Sequence, residues 1–488
     1  MQNMKRLSDL LERIRPLKVV GSADREVEAL SFDSREVGEG YCFFAVRGTQ
    51  VDGHNFIVKA TDAGASVVVC ETLPEALNEQ VSYVVVEDST AAMADIAAAF
   101  YGNPSQQLTL VGVTGTNGKT TIATLLYDMF TAMGYRAGLI STVVYRIGDE
   151  TLPSTHTTPD VIRLNAMLRR MVDAGCTHCF MEVSSHSVVQ QRIRGLHFKG
   201  AAFTNLTHDH LDYHGTFAEY IKAKKGLFDG LAKDAFAVVN VDDRNGEVML
   251  QNTRAKGYRY SLRAAADFKC KLMEMHFDGM LLQMDGNEVW VNFLGRFNAS
   301  NLLAVYAVAV LLGEPREEVL RVLSVLHYVA GRFEPVRSAS GKVAIVDYAH
   351  TPDALENVID TIDEIRGEGN RLIVVCGCGG DRDATKRPEM GKIASERADV
   401  AIFTSDNPRT EDPEKILDDV VRGAVAGAHT LRITDRRQAI ATAAMLAQAG
   451  DIILIAGKGH EDYQIIGREK IHFDDREEIR AAFEREQK

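Results

Sequence analysis

Residues 108–121 read Leu-Thr-Leu-Val-Gly-Val-Thr-Gly-Thr-Asn-Gly-Lys-Thr-Thr, and this stretch decides the reading of the chain. LTLVGV is an apolar run of strand length, and TIATLLYDMFTAMG (121–134) has the spacing of an amphipathic helix. Between them lies Thr114-Gly115-Thr116-Asn117-Gly118-Lys119-Thr120-Thr121. Glycines at such a junction let the backbone wrap closely around a phosphate, and a helix N-terminus aims amides and a positive dipole end at it. Lys119 suits the β- and γ-phosphates, and the hydroxyl of Thr120 or Thr121 suits Mg2+. The strict phosphate-loop pattern requires Gly at position 113, where this chain has Val113. The strand–loop–helix context still favours a nucleotide site over a plain glycine-rich turn.

Working outward, apolar strands alternate with amphipathic helices from residue 108 onward. AGLISTV, the helix VIRLNAMLRRMVDAG, THCFMEVSS, FKGAAFTNL, AFAVVNVDD and a helix at 298–313 follow in order. That alternation predicts βαβ units and a mostly parallel sheet. Upstream, ALSFDS, YCFFAV, SVVVCE and YVVVED with a helical pattern at 54–64 predict a small α/β domain. Downstream, the Gly-, Pro- and Ser-rich segment 327–342 marks a second break, after which the α/β pattern restarts with Rossmann-like character. The expected domains are 1–90, 91–332 and 333–488, and a length of 488 residues suits about three. In the third, Asp347, Gly377–Gly380, Asp406–Arg409 and Gly457–Glu461 each follow an apolar strand. Ligands of parallel sheets bind beyond the carboxyl ends of the strands, so one cleft lined by these four loops is expected.

With 55 Lys and Arg against 68 Asp and Glu, the net charge is −13. A non-specific nucleic-acid binder or an anionic-membrane binder is therefore disfavoured, and phosphate must be met by local devices. The seven cysteines are odd in number and scattered, which argues for a reducing cytosol over a disulfide framework. Cys176 and Cys179 have metal-site spacing, but no second pair follows. MQNMKRLSDLLERIRPL (1–17) predicts a short amphipathic helix without the apolar run of a signal peptide. The longest apolar run, 302–312, is too short to span a bilayer. A cytoplasmic protein without membrane insertion is expected.

Glu182 ends the strand CFMEV at the same sheet edge as the phosphate loop, and Asn205–His214 packs His and Asp densely after another strand. Such a cluster suits zinc, a metal–nucleotide site or a polar loop. Hard oxygen donors favour Mg2+ over zinc, which prefers a closed His/Cys set.

Seven motifs then carry a resemblance. TGTNGKTT (114–121), MEVSSH (181–186), DHLDYHG (209–215), AKKGLF (223–228), GRFN-x-x-N (295–301), GRFE (331–334) and DYAHTPD (347–353) resemble, in order and spacing, the signature of the Mur ligase family. The resemblance implies a three-domain, ATP-dependent amide-forming enzyme of peptidoglycan precursor synthesis. DNPRTE (406–411) and GKGHEDYQ (457–464) are similar to those of members that add meso-diaminopimelate to UDP-N-acetylmuramoyl-L-alanyl-D-glutamate through an acyl phosphate. Members that add L-lysine differ at the Arg of DNPR.

Carried over residue by residue, the resemblance implies that Thr114, Gly115, Thr116, Asn117, Gly118, Lys119 and Thr120 hold ATP. It implies Mg2+ at Thr120, Glu182, His210 and a carbamylated Lys224, since a free ammonium cannot bind a cation whereas a carbamate offers an anionic oxygen. Asn298 and Asn301 would lie near the adenine, and Arg332 and Asp347 would contact ATP across the second break. The UDP-N-acetylmuramoyl-dipeptide would meet Phe32, Ser34, Thr49, Gln50, Val51, His156, Thr157, Thr158, Ser184, Gln190 and Arg192, with His156 standing where the family carries Asn. Diaminopimelate would meet Arg382, Asp406, Asn407, Pro408, Arg409, Gly457 and Glu461. Arg409 suits a bidentate fork to the carboxylate that distinguishes diaminopimelate from lysine, and Glu461 suits an ammonium. A monomer is expected. The rival readings are the same reaction with L-lysine, a folylpolyglutamate-type ligase and a phosphate-loop regulatory ATPase that makes no amide.

Overall fold

Val67–Cys70, Leu372–Cys376 and Ile452–Ala456 carry no polar alternation, and every residue in them is buried. Such strands belong inside parallel sheets covered on both faces, and three sheets of this kind organise the chain. The computed structural model describes residues 4–48, 51–207, 211–276 and 278–485.

The first sheet sets Ala29–Ser31, Tyr41–Phe44, Val67–Cys70 and Ser82–Val85 in parallel, with Lys18–Val20 antiparallel at one edge. The helix Ser89–Phe100 starts where the Asp88 carboxylate accepts from the Ala91 N–H. It straddles residue 90 and buries Ala92, Met93, Ile96 and Phe100 with Phe44, Val67 and Val84 of this sheet. The helix expected over 1–17 is shorter. Leu7–Leu11 is helical, with Leu7 and Leu10 buried, while Lys5–Arg6 pairs with Glu26–Val27. Pro16 disfavours helical backbone at the residue before it, and two buried leucines hold only one turn.

The central sheet has eleven strands. Ala137–Ile140, His178–Glu182, Thr109–Thr114, Gly200–Phe203, Phe236–Asn240, Lys256–Ser261 and Phe268–His276 lie side by side in parallel. Antiparallel hairpins flank them, Val144–Ile147 with Glu150–Pro153 at one side and Gly279–Met284 with Asn287–Val291 at the other. One face is covered by the helices Lys119–Ala132 and Arg296–Leu311, the other by Val161–Asp173 and Phe217–Asp229. All but the last residue of the apolar run 302–312 lies in Arg296–Leu311, whose residues Leu302 through Ala309 are all fully buried against helix Lys119–Ala132 and the sheet. Each large apolar side chain buried there contributes about 1.5–3 kcal/mol. No described helix is long and apolar enough to cross a membrane.

The third sheet orders its strands Glu334–Arg337, Val343–Asp347, Ile452–Ala456, Leu372–Cys376, Val400–Phe403 and Thr430–Arg432, all parallel except the first. The last parallel strand in the chain inserts beside the first. The strand order therefore reverses there, and the loops after residues 347, 376 and 456 face one another. Thr351 caps the helix Pro352–Ile365 with proline at its first position, as a helix start favours.

Candidate functional site

The phosphate-loop strand ends at Thr114 and the helix begins at Lys119. Gly115 and Gly118 hold φ angles of 148° and 87°, and a Cβ at either would collide with Thr204 or Asn301 respectively. The loop therefore needs glycine at both positions for conformation and for space. Val113 lies inside the strand and is fully buried, so a Gly there is not needed to shape the loop. Lys119 Nζ donates to the carbonyls of Gly115 (2.9 Å) and Thr116 (2.7 Å), which holds it along the inner rim of the loop.

A cavity of about 360 Å3 opens at this loop. Lys119, Thr120, Glu182, Lys224 and Arg332 all line it. So do Thr116, Asn117, Gly118, His156, Thr157, Thr158, Ser184 and Arg192. Residues more than 200 positions apart thus share one chamber, because the central parallel strands deliver their carboxyl ends to one edge and the segment carrying Arg332 reaches across to Thr120. Glu182 is fully buried, and Thr142 donates its N–H to Oε1 (2.7 Å) and sets its hydroxyl 3.1 Å from Oε2. The same hydroxyl lies 3.0 Å from that of Thr157. Thr142 was not singled out from the sequence, and its place at a strand end beside Glu182 was the available signal. Lys224, 1% exposed, donates to the Gly115 carbonyl at 2.6 Å and sits 4.6 Å from the Tyr220 ring. A buried carboxylate and the Thr120 hydroxyl are hard oxygen donors that fit Mg2+. A Lys224 carbamate would add a third at the same wall. Among the described residues no three His, Cys, Asp or Glu side chains converge as a closed metal set. His210, Thr49 and Gln50 lie outside the described residues.

A second cavity of about 630 Å3 lies on the other side of the loop, lined by Asn117, Gly118, Asn301, Arg332 and Asp347 among others. Asn301 donates to the Asn298 carboxamide, which in turn holds the Leu294 carbonyl, so Asn298 stands one layer behind the wall. Contacts here tie the third sheet's unit, and the segment leading into it, to the central one. Arg332 donates to the Thr120 hydroxyl (3.1 Å), Asn117 to Asp353 (3.1 Å), and Arg296 pairs with Glu364 (3.1 Å). Arg332 also lies 4.6 Å over the Tyr348 ring. Tyr348 and His350 line both cavities, a role their motif alone did not disclose. Burial pushes the Asp347 carboxyl up to about 6 despite nearby Arg332, although Phe333 donates to it at 2.7 Å. Burial and neighbouring cations push His460 down to about 3, so that ring is neutral.

The third-unit loops interlock as one cluster. Gly457 donates to the Asp347 carbonyl, Gly380 to that of Asn407, and a Cβ on Gly457 would press on Asp406 Oδ2. Asn407 donates to Glu461 Oε2 (2.8 Å). Arg409 adopts φ 51°, a left-handed conformation costly for a non-glycine residue. Its N–H donates to the Ile465 carbonyl and its own carbonyl accepts from Gly467, so the hairpin Tyr463–His472 holds the strained residue in place. The guanidinium donates through Nη1 to the Gly380 carbonyl (2.8 Å), and among the described residues no carboxylate pairs with it. Arg387, 3% exposed, grips Glu411 of the same loop (2.8 Å) and Asp419 (3.1 Å). Below Ala456, Arg436, fully buried and paired with Asp475 (2.7 Å), donates to the carbonyl that precedes Gly457. Arg382 is exposed and donates to the Asp381 carbonyl. Pro408 is buried within the loop.

Some expected positions serve local structure as well. Ser184 caps the helix Ser185–Val189. Gln190 receives Arg192 (2.6 Å) and donates to the Tyr213 hydroxyl, which makes it a support for Arg192. Thr114 is buried at the strand end. Phe32 and Val51 are exposed and Ser34 is buried in the first unit, outside both cavities.

Three family descriptions match the chain in succession: the Mur ligase family catalytic domain over residues 26–101, the Mur ligase middle domain over 113–309 and the Mur ligase glutamate ligase domain over 331–459. The chain belongs to the Mur ligase family. It is 55% identical over 483 residues to a UDP-N-acetylmuramoyl-L-alanyl-D-glutamate–2,6-diaminopimelate ligase of Phocaeicola vulgatus, covering 99% of this chain and 100% of that one. A protein of the same name from Bacteroides fragilis is 54% identical, covering 98% and 99%. A solved structure bearing that name superposes with a TM-score of 0.71 at 34% identity, covering 98% and 99%.

Proposed function

We propose that this protein joins meso-diaminopimelate to the D-glutamyl γ-carboxylate of UDP-N-acetylmuramoyl-L-alanyl-D-glutamate at the expense of ATP. The observation that carries the reading is the convergence of Lys119, Glu182, Lys224 and Arg332 on one cavity beside the phosphate loop. The interlocked Asp406–Asn407–Arg409–Glu461 cluster at neighbouring strand ends supports it.

A γ-carboxylate oxygen attacks the γ-phosphorus of ATP, ADP leaves, and an acyl phosphate forms. The free amine of diaminopimelate then attacks the acyl carbon. The tetrahedral species loses phosphate and a proton to leave the amide. Residues 114–120 wrap the triphosphate, and Lys119 balances charge as it moves to the leaving oxygen. Arg332 and Asp347 close the third unit onto the nucleotide, with Asn301 and, behind it, Asn298 on the far wall. His156, Thr157, Thr158, Ser184 and Arg192, with Gln190 behind Arg192, orient the dipeptide end. Phe32, Ser34, Thr49, Gln50 and Val51 serve the uridine end. Arg409 with Arg382 takes the distal carboxylate of the amino acid. Asp406, Asn407, Pro408, Gly457 and Glu461 shape the pocket for its ammonium. When bound, Mg2+ supplies Lewis-acid neutralisation of phosphate oxygens, and Thr120, Glu182, His210 and carbamylated Lys224 would hold it. Positioning three substrates in one cleft provides much of the rate.

Phosphate release is the direct test. It is expected only when ATP, the UDP-muramoyl dipeptide and diaminopimelate are all present, and turnover of ATP alone would make the protein an ATPase. Lys224→Ala is expected to lose about a hundredfold or more in kcat, a loss of several kcal/mol of charge stabilisation. Short carboxylic acids should restore part of it, because they return an anionic oxygen to the buried wall. Full activity of that variant without any additive would remove the carbamate from the mechanism.

A further inference from the structure

Lys458, in the loop after Ile452–Ala456, is a fully buried lysine that the mechanism above does not use. Its ammonium donates to Asn407 Oδ1 (3.1 Å) and Glu461 Oε2 (3.0 Å), and it lies 5.5 Å from the Tyr463 ring centroid. Asn407 Nδ2 reaches the same Glu461 oxygen at 2.8 Å, while Asn407 Oδ1 also accepts from the Ile465 N–H at 3.0 Å. Glu461 Oε2 is thus engaged twice, and among the described residues nothing hydrogen-bonds to Oε1. A carboxylate held by one oxygen with the other left over is arranged to receive a second cation.

We propose that Lys458 is a positioning residue of the amino-acid subsite: its fixed ammonium turns Glu461 so that Oε1 faces the ammonium of the incoming amino acid. This rests on the reading of the third-unit cluster as the diaminopimelate site. Lys458 also favours the charged form of Glu461. Burial is the largest influence on that carboxyl and pushes it up, and Asp406 adds to the rise. Lys458 and Asn407 oppose both. Among the described residues, Tyr348, from the loop after Val343–Asp347, and Tyr463, from the hairpin, also face it. Neither supplies a positive charge. Without Lys458 the carboxyl moves further up, so it offers the substrate's ammonium less charge toward the acid side and regains that charge as pH rises.

The test is KM for diaminopimelate between about pH 6.5 and pH 9 in the wild type, Lys458→Met and Lys458→Gln, read by phosphate release. The wild-type KM is expected to stay flat. In both variants it should rise about tenfold or more at neutral pH and fall as pH increases, with kcat at saturation within about threefold. KM for ATP and for the UDP-substrate should not move. An unchanged KM for diaminopimelate, or one raised equally at every pH, overturns the proposal. Should neither variant fold, 13C-carboxyl NMR of glutamate-labelled wild type decides: a Glu461 resonance already ionised at pH 6.5 supports the role, and a protonated one ends it. Failure of the wild type to use diaminopimelate would instead overturn the functional reading itself.

Discussion

Lys119→Ala is expected to lower kcat by about a thousandfold, about 4 kcal/mol of transition-state stabilisation, while the fold and the amino-acid KM stay near wild type. The ammonium is held against the loop by the carbonyls of Gly115 and Thr116, so its charge is in place before ATP binds. Most of what shapes the loop lies in other residues. That shape comes from Gly115 and Gly118, from the Asn205 carboxamide that accepts the Asn117 N–H, and from the Thr204 hydroxyl on the Asn117 carbonyl. Loss of Lys119 therefore removes charge from the transferring phosphoryl group without opening the cavity. The measurement is single-turnover ADP formation with the UDP-muramoyl dipeptide, alongside thermal unfolding. Retention of more than about a tenth of the wild-type rate would mean that Lys119 is only part of the loop's framework.

Arg409→Ala is expected to cut kcat/KM for diaminopimelate by about a hundredfold or more, while lysine turnover changes little, so that the preference between them collapses. A truncated partner of a buried charge pair costs about 2–5 kcal/mol. In wild type the guanidinium is anchored through Nη1 on the Gly380 carbonyl, and among the described residues no carboxylate satisfies it. Lysine would leave that charge unpaired, and this unmet group penalises the wrong substrate. Gly379 and Gly380 make the arrangement possible, since a Cβ on the first would press on Arg409 Nη1 and one on the second would overlap the Pro408 carbonyl. Arg409→Lys should recover only part of the loss because an ammonium lacks the planar fork. Competition between the two amino acids, read by mass spectrometry of the product, gives the ratio directly. An unchanged ratio would assign selection to another group.

The phosphate loop was legible because strand, glycines, lysine and helix are contiguous, and each acts through local backbone geometry. The third-unit cleft was legible because four polar loops each follow a run of strand length, and parallel sheets bind at such ends. Thr142, Tyr348 and Lys458 were not legible in the same way. Their importance depends on what stands opposite them: Glu182 for Thr142, two cavities for Tyr348, and Asn407 with Glu461 for Lys458. No local pattern marks the left-handed backbone of Arg409, because it is imposed by hydrogen bonds to Ile465 and Gly467 more than fifty residues away. The N-terminal helix shortened for a related reason, since one turn is all that Leu7 and Leu10 can bury.

Amino-acid order by itself determined the three α/β units, the nucleotide loop and the chemistry of each functional side chain, because hydrophobic period, glycine freedom and ionisable type are local properties. Only the tertiary structure decided which of those side chains meet. Glu182 shares a wall with Lys224, Ser184 caps a helix, Gln190 and Asn298 stand behind other residues, and Arg332 reaches from the second break to Thr120. The physical reason is that a parallel sheet brings together strand ends separated by tens to hundreds of residues. Charge balance, burial and hydrogen-bond partners exist only once those ends are side by side.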